Sequence, residues 1–123
     1  MTHGNKNVWV PLKEDVFPWR GEFLATHLVR ILSLLLGALT ILGTHLAARE
    51  LFPVRSAVAI GAPAIVAFIP QFLFISSAVS NDTAAAAGAW VLYLTGRMLR
   101  RGPTPSREVL LGVILGLAAL CKL

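Results

Sequence analysis

The sequence predicts an all-α protein, a polytopic bundle of about four transmembrane helices. Apolar residues make up 56% of the chain and charged residues only 14%. The apolar residues come in long blocks, whereas a water-soluble domain of this length arranges them as narrow amphipathic stripes. The charged residues lie mostly in the gaps between these blocks, as expected of a chain that crosses a bilayer several times.

The first 22 residues precede the apolar blocks and are predicted to form an interfacial loop. They combine charged side chains and two prolines with Trp9, Phe17 and Trp19. Indole rings favour the membrane–water interface, although a solvated tail has a similar composition. Because no short apolar run follows a basic start, the segment does not resemble a cleaved secretory leader.

Four apolar blocks follow, and each predicts one helix. The first is longer than the roughly 20 residues that cross a hydrocarbon core, and Pro53 prevents its continuation. The second contains Pro63 and Pro70, so we expect a kinked or broken helix near Pro70. The third follows Asn81 and Asp82, whose side chains suit a helix start. The predicted helices cover about residues 23–48, 56–77, 83–98 and 108–123.

The distribution of arginines predicts the orientation of these helices. The loop between the second and third predicted helices has no Lys or Arg, whereas the loops after the first and third are rich in arginine. By the positive-inside rule, the arginine loops are cytoplasmic, and the Asn81–Asp82 turn and the first 22 residues face outward from the cytoplasmic (inner) membrane. The arginines of the cytoplasmic loops are Arg49, Arg55, Arg97, Arg100, Arg101 and Arg107.

Both ends of the chain suggest that it continues. A basic tail without a leader is difficult to translocate by itself, and the last residues still lie within an apolar block. We therefore expect a helix before Met1 and further sequence after Leu123.

Polar and ionisable side chains near the hydrocarbon region are costly, so they are the first candidates for function. In the predicted topology five of them, on four separate elements, approach the outer face. Cationic groups beside a helix start suit the binding of a lipid-linked phosphate. The five residues are His27, Arg30, Gln71, Asp82 and Lys122.

Each candidate also has a purely structural interpretation. Asp82 fits a helix cap as well as it fits a site carboxylate. Arg30 and Lys122 can extend towards lipid headgroups, and Gln71 can satisfy a carbonyl freed by the neighbouring proline. His27 has no second metal ligand nearby in the sequence, so an interfacial histidine is its better interpretation.

The sequence has no pattern typical of a metal, nucleotide or nucleic-acid site. Cys121 is the single cysteine, and His3, His27 and His45 lack the spacing of metal ligands. No phosphate-cradling glycine loop or nucleophile elbow occurs, and the basic residues do not alternate with aromatic ones. No metal site, cofactor or nucleic-acid partner is identified, and a requirement for a divalent cation stays open.

Three phrases of the sequence, in this order, resemble a known family. They are HLVRILSLLLGALTILGTHLAARELFP, PQFLFISSAVSNDTAAAAGAW and LLGVILGLAALCKL. Together they resemble the multi-pass glycosyltransferases of the C-type superfamily, whose bacterial members include the lipid A aminoarabinose transferases and the protein O-mannosyltransferase-like enzymes. The similarity extends over about residues 20–123.

The resemblance implies transfer of a sugar from a polyprenyl-phosphate donor to an acceptor at the outer face of the cytoplasmic membrane. It implies that Asp82 is the family's acidic residue after the second helix, that Arg30 belongs to an Arg-x-x-Ser phrase, and that Lys122 closes the last phrase. In such enzymes a carboxylate of the first outer loop acts as general base, and Asp15 beside Glu14 lies in the corresponding segment. The candidates for binding the lipid-linked donor are Arg30, His27, Asn81, Gln71 and Lys122, and the catalytic candidates are Asp82 and Asp15.

A non-catalytic membrane bundle, such as a transporter-like or scaffolding subunit, is the alternative function. A transporter should show related halves with broken helices in corresponding positions, and only the second predicted helix is interrupted. Because flanking sequence is expected, we also expect the chain to be inactive on its own. The sugar, the carrier lipid, the acceptor and the oligomeric state cannot be read from the sequence.

Overall fold

The protein is described by a computed structural model that covers residues 17–18, 20–78 and 83–120. This part of the chain is all-α and has no strand, as the sequence predicts. The five helices are α1 (Gly21–Leu51), α2 (Ser56–Phe68), α3 (Pro70–Ser77), α4 (Thr83–Arg101) and α5 (Pro105–Leu120).

The helix ends follow local signals at proline and glycine. α1 extends to Leu51, three residues beyond the predicted end, and the Phe52 amide still donates to the Ala48 carbonyl at 2.9 Å before Pro53 interrupts the pattern. α4 ends at Arg101 because Gly102 adopts φ +82°, the left-handed conformation of a helix C′ residue. α5 begins at a proline, which suits the first position of a helix because no amide hydrogen is needed there.

The second predicted helix is broken next to Pro70, as expected. Ile69 adopts an extended conformation between α2 and α3, and the two helices are bent by 63°. Pro70 has no amide hydrogen and cannot donate to the Val66 carbonyl. The Ile69 amide donates to that carbonyl instead, at 3.3 Å. The break therefore leaves this backbone acceptor satisfied.

Pro63 lies inside α2 and removes the amide that would bind the Ala59 carbonyl. His45 of α1 replaces that donor, because its Nδ1 lies 2.8 Å from the Ala59 oxygen. The carbonyl is an acceptor, so the proton is on Nδ1. This hydrogen bond joins α1 to α2 at the level of the proline.

α1 and α4 run in the same direction. Trp90 Nε1 donates to the Leu39 carbonyl at 3.2 Å, and eleven residues further along both helices Arg101 Nε lies 2.9 Å from Glu50 Oε1. α2 and α3 together run in the opposite direction to α1. Ala59 of α2 contacts His45, whereas Ser76, further along the chain in α3, lies against Gly37, which is earlier in α1. α5 returns along α4.

The interior is built from small residues. α1 presents a buried row that we call the small-residue seam, and the buried apolar side chains of the described residues are six alanines, Pro63 and Leu94. Large apolar side chains point outward instead, for example Leu28, Ile65, Phe68 and Leu99. The small-residue seam consists of Ser33, Gly37, Thr40, Gly43 and Ala47.

Among the described helices, α1 alone is long and apolar enough to cross a membrane. α2 and α3 together would add a second crossing if they form one broken span. α4 and α5 are not candidate spans by length and composition: α4 ends in arginines, and α5 has only 16 residues. This result gives weak support to membrane association, and the bundle of four crossings is not established by it.

Candidate functional site

The helix directions separate the molecule into two ends. We call the region formed by the last turns of α1 and α4 and the first turn of α2 the arginine end. We call the other side of the molecule, formed by the first half of α1, the start of α4 and the end of α3, the opposite end. Of the described residues that are predicted to bind a lipid-linked donor, His27 and Arg30 belong to the opposite end, whereas Gln71 lies near the middle of α1.

Three of the predicted site residues are described by the structure. His27 is half-buried, and its Nδ1 lies 2.7 Å from the Phe23 carbonyl one turn earlier in α1. Arg30 is exposed on the same helix, and Gln71 is exposed in the first turn of α3. The other four, Asp15, Asn81, Asp82 and Lys122, lie outside the described residues.

The positions of these residues along the axis of α1 can be compared from the rise of an α-helix, about 1.5 Å per residue. Phe72, beside Gln71, lies 3.8 Å from the position of a β-carbon on Gly37. Arg30 is seven residues before Gly37, which corresponds to about 10 Å along the helix axis. Gln71 and Arg30 are therefore at different levels, and the structure does not bring them into contact.

The start of α4 is closer to the level of Arg30. Trp90 meets Leu39, and Ala89 meets Gly43. Because α1 and α4 are parallel, these two contacts can be extended back by equal numbers of residues to the start of α4. This places Thr83 at the level of roughly residues 32–37 of α1. The first turn of α4 thus begins within about 10 Å of Arg30 along the axis.

The largest group of charged side chains lies at the arginine end, around a cavity of about 650 Å³. We call it the arginine-end cavity. α1 contributes His45, Arg49 and Glu50, and α4 contributes Tyr93 and three arginines; Ser56 lies at the start of α2. Leu46, Phe52 and Ile60 form an apolar part of the wall. The arginines of α4 in the wall are Arg97, Arg100 and Arg101.

Glu50 is the centre of the polar contacts in this cavity. It is 8% exposed, and Arg101 Nε donates to its Oε1 at 2.9 Å. The guanidinium of Arg100 donates to the Glu50 main-chain carbonyl. A buried carboxylate requires such partners. The contacts hold the end of α1 to the end of α4.

Arg97 has a different environment. Its Nη1 donates to the Tyr93 hydroxyl, and its guanidinium lies 5.7 Å from the centre of the Tyr93 ring. Tyr93 in turn packs edge-to-face on Trp90, with ring centres 5.8 Å apart. The Nε of Arg97 is buried and has no hydrogen-bond partner among the described residues. Arg97 as a whole is half-buried, and it lines the cavity while this one atom is closed off from it.

This cavity was not predicted from the sequence. Arg49 and the arginines of α4 indicated only the orientation of the helices, and His45 was considered as a metal ligand, for which its spacing is unsuitable. The residues come from positions about 50 apart, and they meet only because α1 and α4 are parallel. A signal does exist, since arginines end both helices, but the sequence does not show that the helices are neighbours.

Comparison with known proteins gives no further identification. No protein family, no curated protein and no solved structure matches the chain.

Proposed function

We propose that the chain supplies transmembrane helices to a glycosyltransferase that takes a sugar from a polyprenyl-phosphate donor at the outer face of the cytoplasmic membrane. The protein crosses the bilayer several times, and its arginine end is cytoplasmic. The observation that carries the membrane placement is the inverted distribution of side-chain size.

This distribution is the reverse of that in a water-soluble protein. Large aliphatic and aromatic side chains normally fill the core of such a protein, but here Ile65 is 69% exposed and Phe68 is 79% exposed. Small residues occupy the helix contacts, as they do in membrane bundles, where close backbone approach replaces the hydrophobic effect between helices. Lipid chains are a suitable solvent for the outward-facing surface.

The separation of the two ends supports a defined orientation. The C-terminal turns of α1 and α4 carry arginines, and both helices start at the opposite end. Two parallel crossings joined by the returning α2 and α3 therefore concentrate basic residues on one side: of the described arginines, only Arg20 and Arg30 lie towards the other side. The arginines of the arginine end are Arg49, Arg55, Arg97, Arg100, Arg101 and Arg107. That asymmetry is the pattern of the positive-inside rule.

The resemblance of the sequence to the C-type glycosyltransferases supplies the chemistry of the proposal. Arg30 and Lys122 would hold the donor phosphate with His27, Asn81 and Gln71, and a carboxylate of Asp82 or Asp15 would take the proton of the acceptor hydroxyl. A lipid phosphate leaves readily once its charge is held, so positioning and electrostatic stabilisation carry most of the catalysis.

The orientation is tested by labelling cysteines in intact cells. In a Cys121→Ser background, Ala78→Cys lies at the end of α3 and Pro103→Cys lies in the turn after α4. We expect a membrane-impermeant maleimide to label the first variant and to label the second only after the cells are opened. The reverse labelling pattern would contradict the proposed topology.

The reaction is tested with membranes from cells that express the natural polypeptide. A labelled polyprenyl-phosphate-linked mannose or aminoarabinose is the donor, and transfer to the membrane fraction is measured. We expect Asp82→Asn to lower transfer by about a hundredfold or more if it acts as the base. Glu108→Gln is the matched control, because Glu108 is an exposed carboxylate in the first turn of α5.

Two outcomes would count against this proposal. Transfer that Asp82→Asn leaves unchanged would assign Asp82 to helix capping alone. If no transfer occurs with either donor, the non-catalytic bundle becomes the better interpretation.

A further inference from the structure

We propose that the arginine-end cavity binds the phosphate headgroup of an anionic phospholipid from the cytoplasmic leaflet. The proposal goes beyond the glycosyl transfer proposed above, since it concerns the other end of the helices. It depends on the membrane placement but not on the transfer reaction.

The charge of the cavity favours an anion. Four arginines and one glutamate line it, so the wall carries a formal charge of +3 with His45 neutral. Only one of these arginines, Arg101, is paired with the Glu50 carboxylate. A volume of about 650 Å³ lies within the range of small-molecule sites, roughly 300–1,000 Å³.

Stabilisation of helix ends explains why some of these arginines are present. Cations in the last turn stabilise a helix by opposing its dipole, which suffices for Arg49, Arg100 and Arg101 as structural residues. It does not account for Arg97, which lies one turn earlier and whose buried Nε has no hydrogen-bond partner among the described residues. This Nε is closed off from the cavity, but Arg97 lines it and pairs with no carboxylate among the described residues, so a phosphate group in the cavity would supply the missing negative charge.

The start of α2 adds donors from the backbone. Ser56 lines the cavity, and Arg55 before it makes no side-chain cap to the helix. The Val58 amide already donates to the Arg55 carbonyl at 3.0 Å, so the amides of Ser56 and Ala57 are those of the first turn that favour a phosphate group. Arg49 is exposed beside them on α1. Guanidinium forks and free amides together match the geometry of phosphate oxygens.

The apolar part of the wall favours a lipid over a soluble phosphate. Phe52 is 47% exposed and Ile60 is 68% exposed, and both line the cavity. A ligand with an anionic head and acyl chains can place its phosphate among the arginines and its chains along these residues. Basic pockets between helices at the cytoplasmic side of a membrane protein bind anionic lipid headgroups in this way.

The proposal is tested by lipid binding to the purified chain in a neutral detergent. Fluorescent phosphatidic acid is titrated against the wild-type chain, with phosphatidylcholine as the lipid of zero net charge. We expect phosphatidic acid to bind at least about tenfold more tightly. Arg49→Gln and Arg97→Gln should each weaken its binding by about tenfold, the effect of one charge-assisted hydrogen bond.

Arg55→Gln is the matched control. Arg55 is an exposed arginine at the same end, but it does not line the cavity. Its loss should change binding by less than about threefold. Equal weakening by Arg49→Gln and Arg55→Gln would show attraction by general surface charge and would overturn the proposed site.

Two further measurements keep the test decisive. Arg97→Lys keeps the positive charge and loses the planar guanidinium fork, so it should bind phosphatidic acid more weakly than wild type while its helix content by circular dichroism is unchanged. If Arg97 variants do not fold, Arg49→Gln alone decides, since its side chain is exposed. If inorganic phosphate binds as tightly as phosphatidic acid and displaces it, the site takes a free anion, and the lipid proposal fails.

Discussion

The contact between α1 and α4 at Gly43 gives the sharpest prediction of stability. A β-carbon added to Gly43 would lie 3.0 Å from the Ala89 β-carbon, 3.2 Å from Trp90 Cδ1 and 3.3 Å from the main-chain carbon of Ala89. Carbon atoms pack best at about 3.5–4.0 Å. One of the crowded atoms belongs to the backbone, so α4 must move away from α1 by about half an ångström to accept Gly43→Ala.

Overpacking of this kind costs roughly 1–3 kcal/mol. The substitution also gains up to about 1 kcal/mol, because alanine is the better helix former. Gly88→Ala in α4 makes the same gain without the crowding, since no atom lies within 4 Å of its added β-carbon. The difference in the free energy of unfolding between the two variants therefore isolates the contact, and we expect Gly43→Ala to be less stable by about 1–3 kcal/mol.

The assay is reversible unfolding of the purified chain in mixed detergent micelles, followed by circular dichroism as the fraction of denaturing detergent rises. Wild type, Gly43→Ala and Gly88→Ala are compared at one protein concentration. Equal unfolding midpoints for the two alanine variants would refute the close approach of α1 and α4.

The same unfolding assay tests two hydrogen bonds between helices. His45→Ala should destabilise the protein by about 1–2 kcal/mol because it leaves the Ala59 carbonyl unpaired. In a Pro63→Ala background, an amide donor within α2 is restored, so the same substitution should cost about 1 kcal/mol less. An equal cost in both backgrounds would mean that His45 does not replace the missing amide. Trp90→Phe keeps an aromatic ring but loses the Nε1 donor to the Leu39 carbonyl, so we expect a loss of about 0.5–1.5 kcal/mol; an unchanged midpoint would show that this bond contributes nothing.

The features that sequence analysis predicted correctly are local ones. The break beside Pro70 and the stop before Pro53 depend on residues within one turn of the break, because proline changes the backbone where it occurs. The helix bounds differ by a few residues, as at Pro105, where the predicted start of α5 is three residues late.

The contacts between helices are not local, and the sequence does not contain them in readable form. The bond from His45 to Ala59 requires the antiparallel alignment of α1 and α2, and the Glu50–Arg101 pair requires that α4 be parallel to α1. Either alignment changes partners when one helix slides by a single turn. The candidate site at the opposite end stays a prediction for the same reason, since Arg30 and Gln71 differ in level, and Asp82 lies outside the described residues.

The small-residue seam also determines which positions of the chain tolerate substitution. A position that holds glycine, serine or alanine against a neighbouring helix can change in volume mainly by growing, and growth there separates helices. Outward positions such as Leu28 and Leu99 can exchange one large aliphatic residue for another at little cost, because nothing in the described part of the chain encloses them. A library of random variants should therefore keep its folded members mainly through changes on the outer surface, and interior changes that a water-soluble core would absorb by repacking should be rare among them.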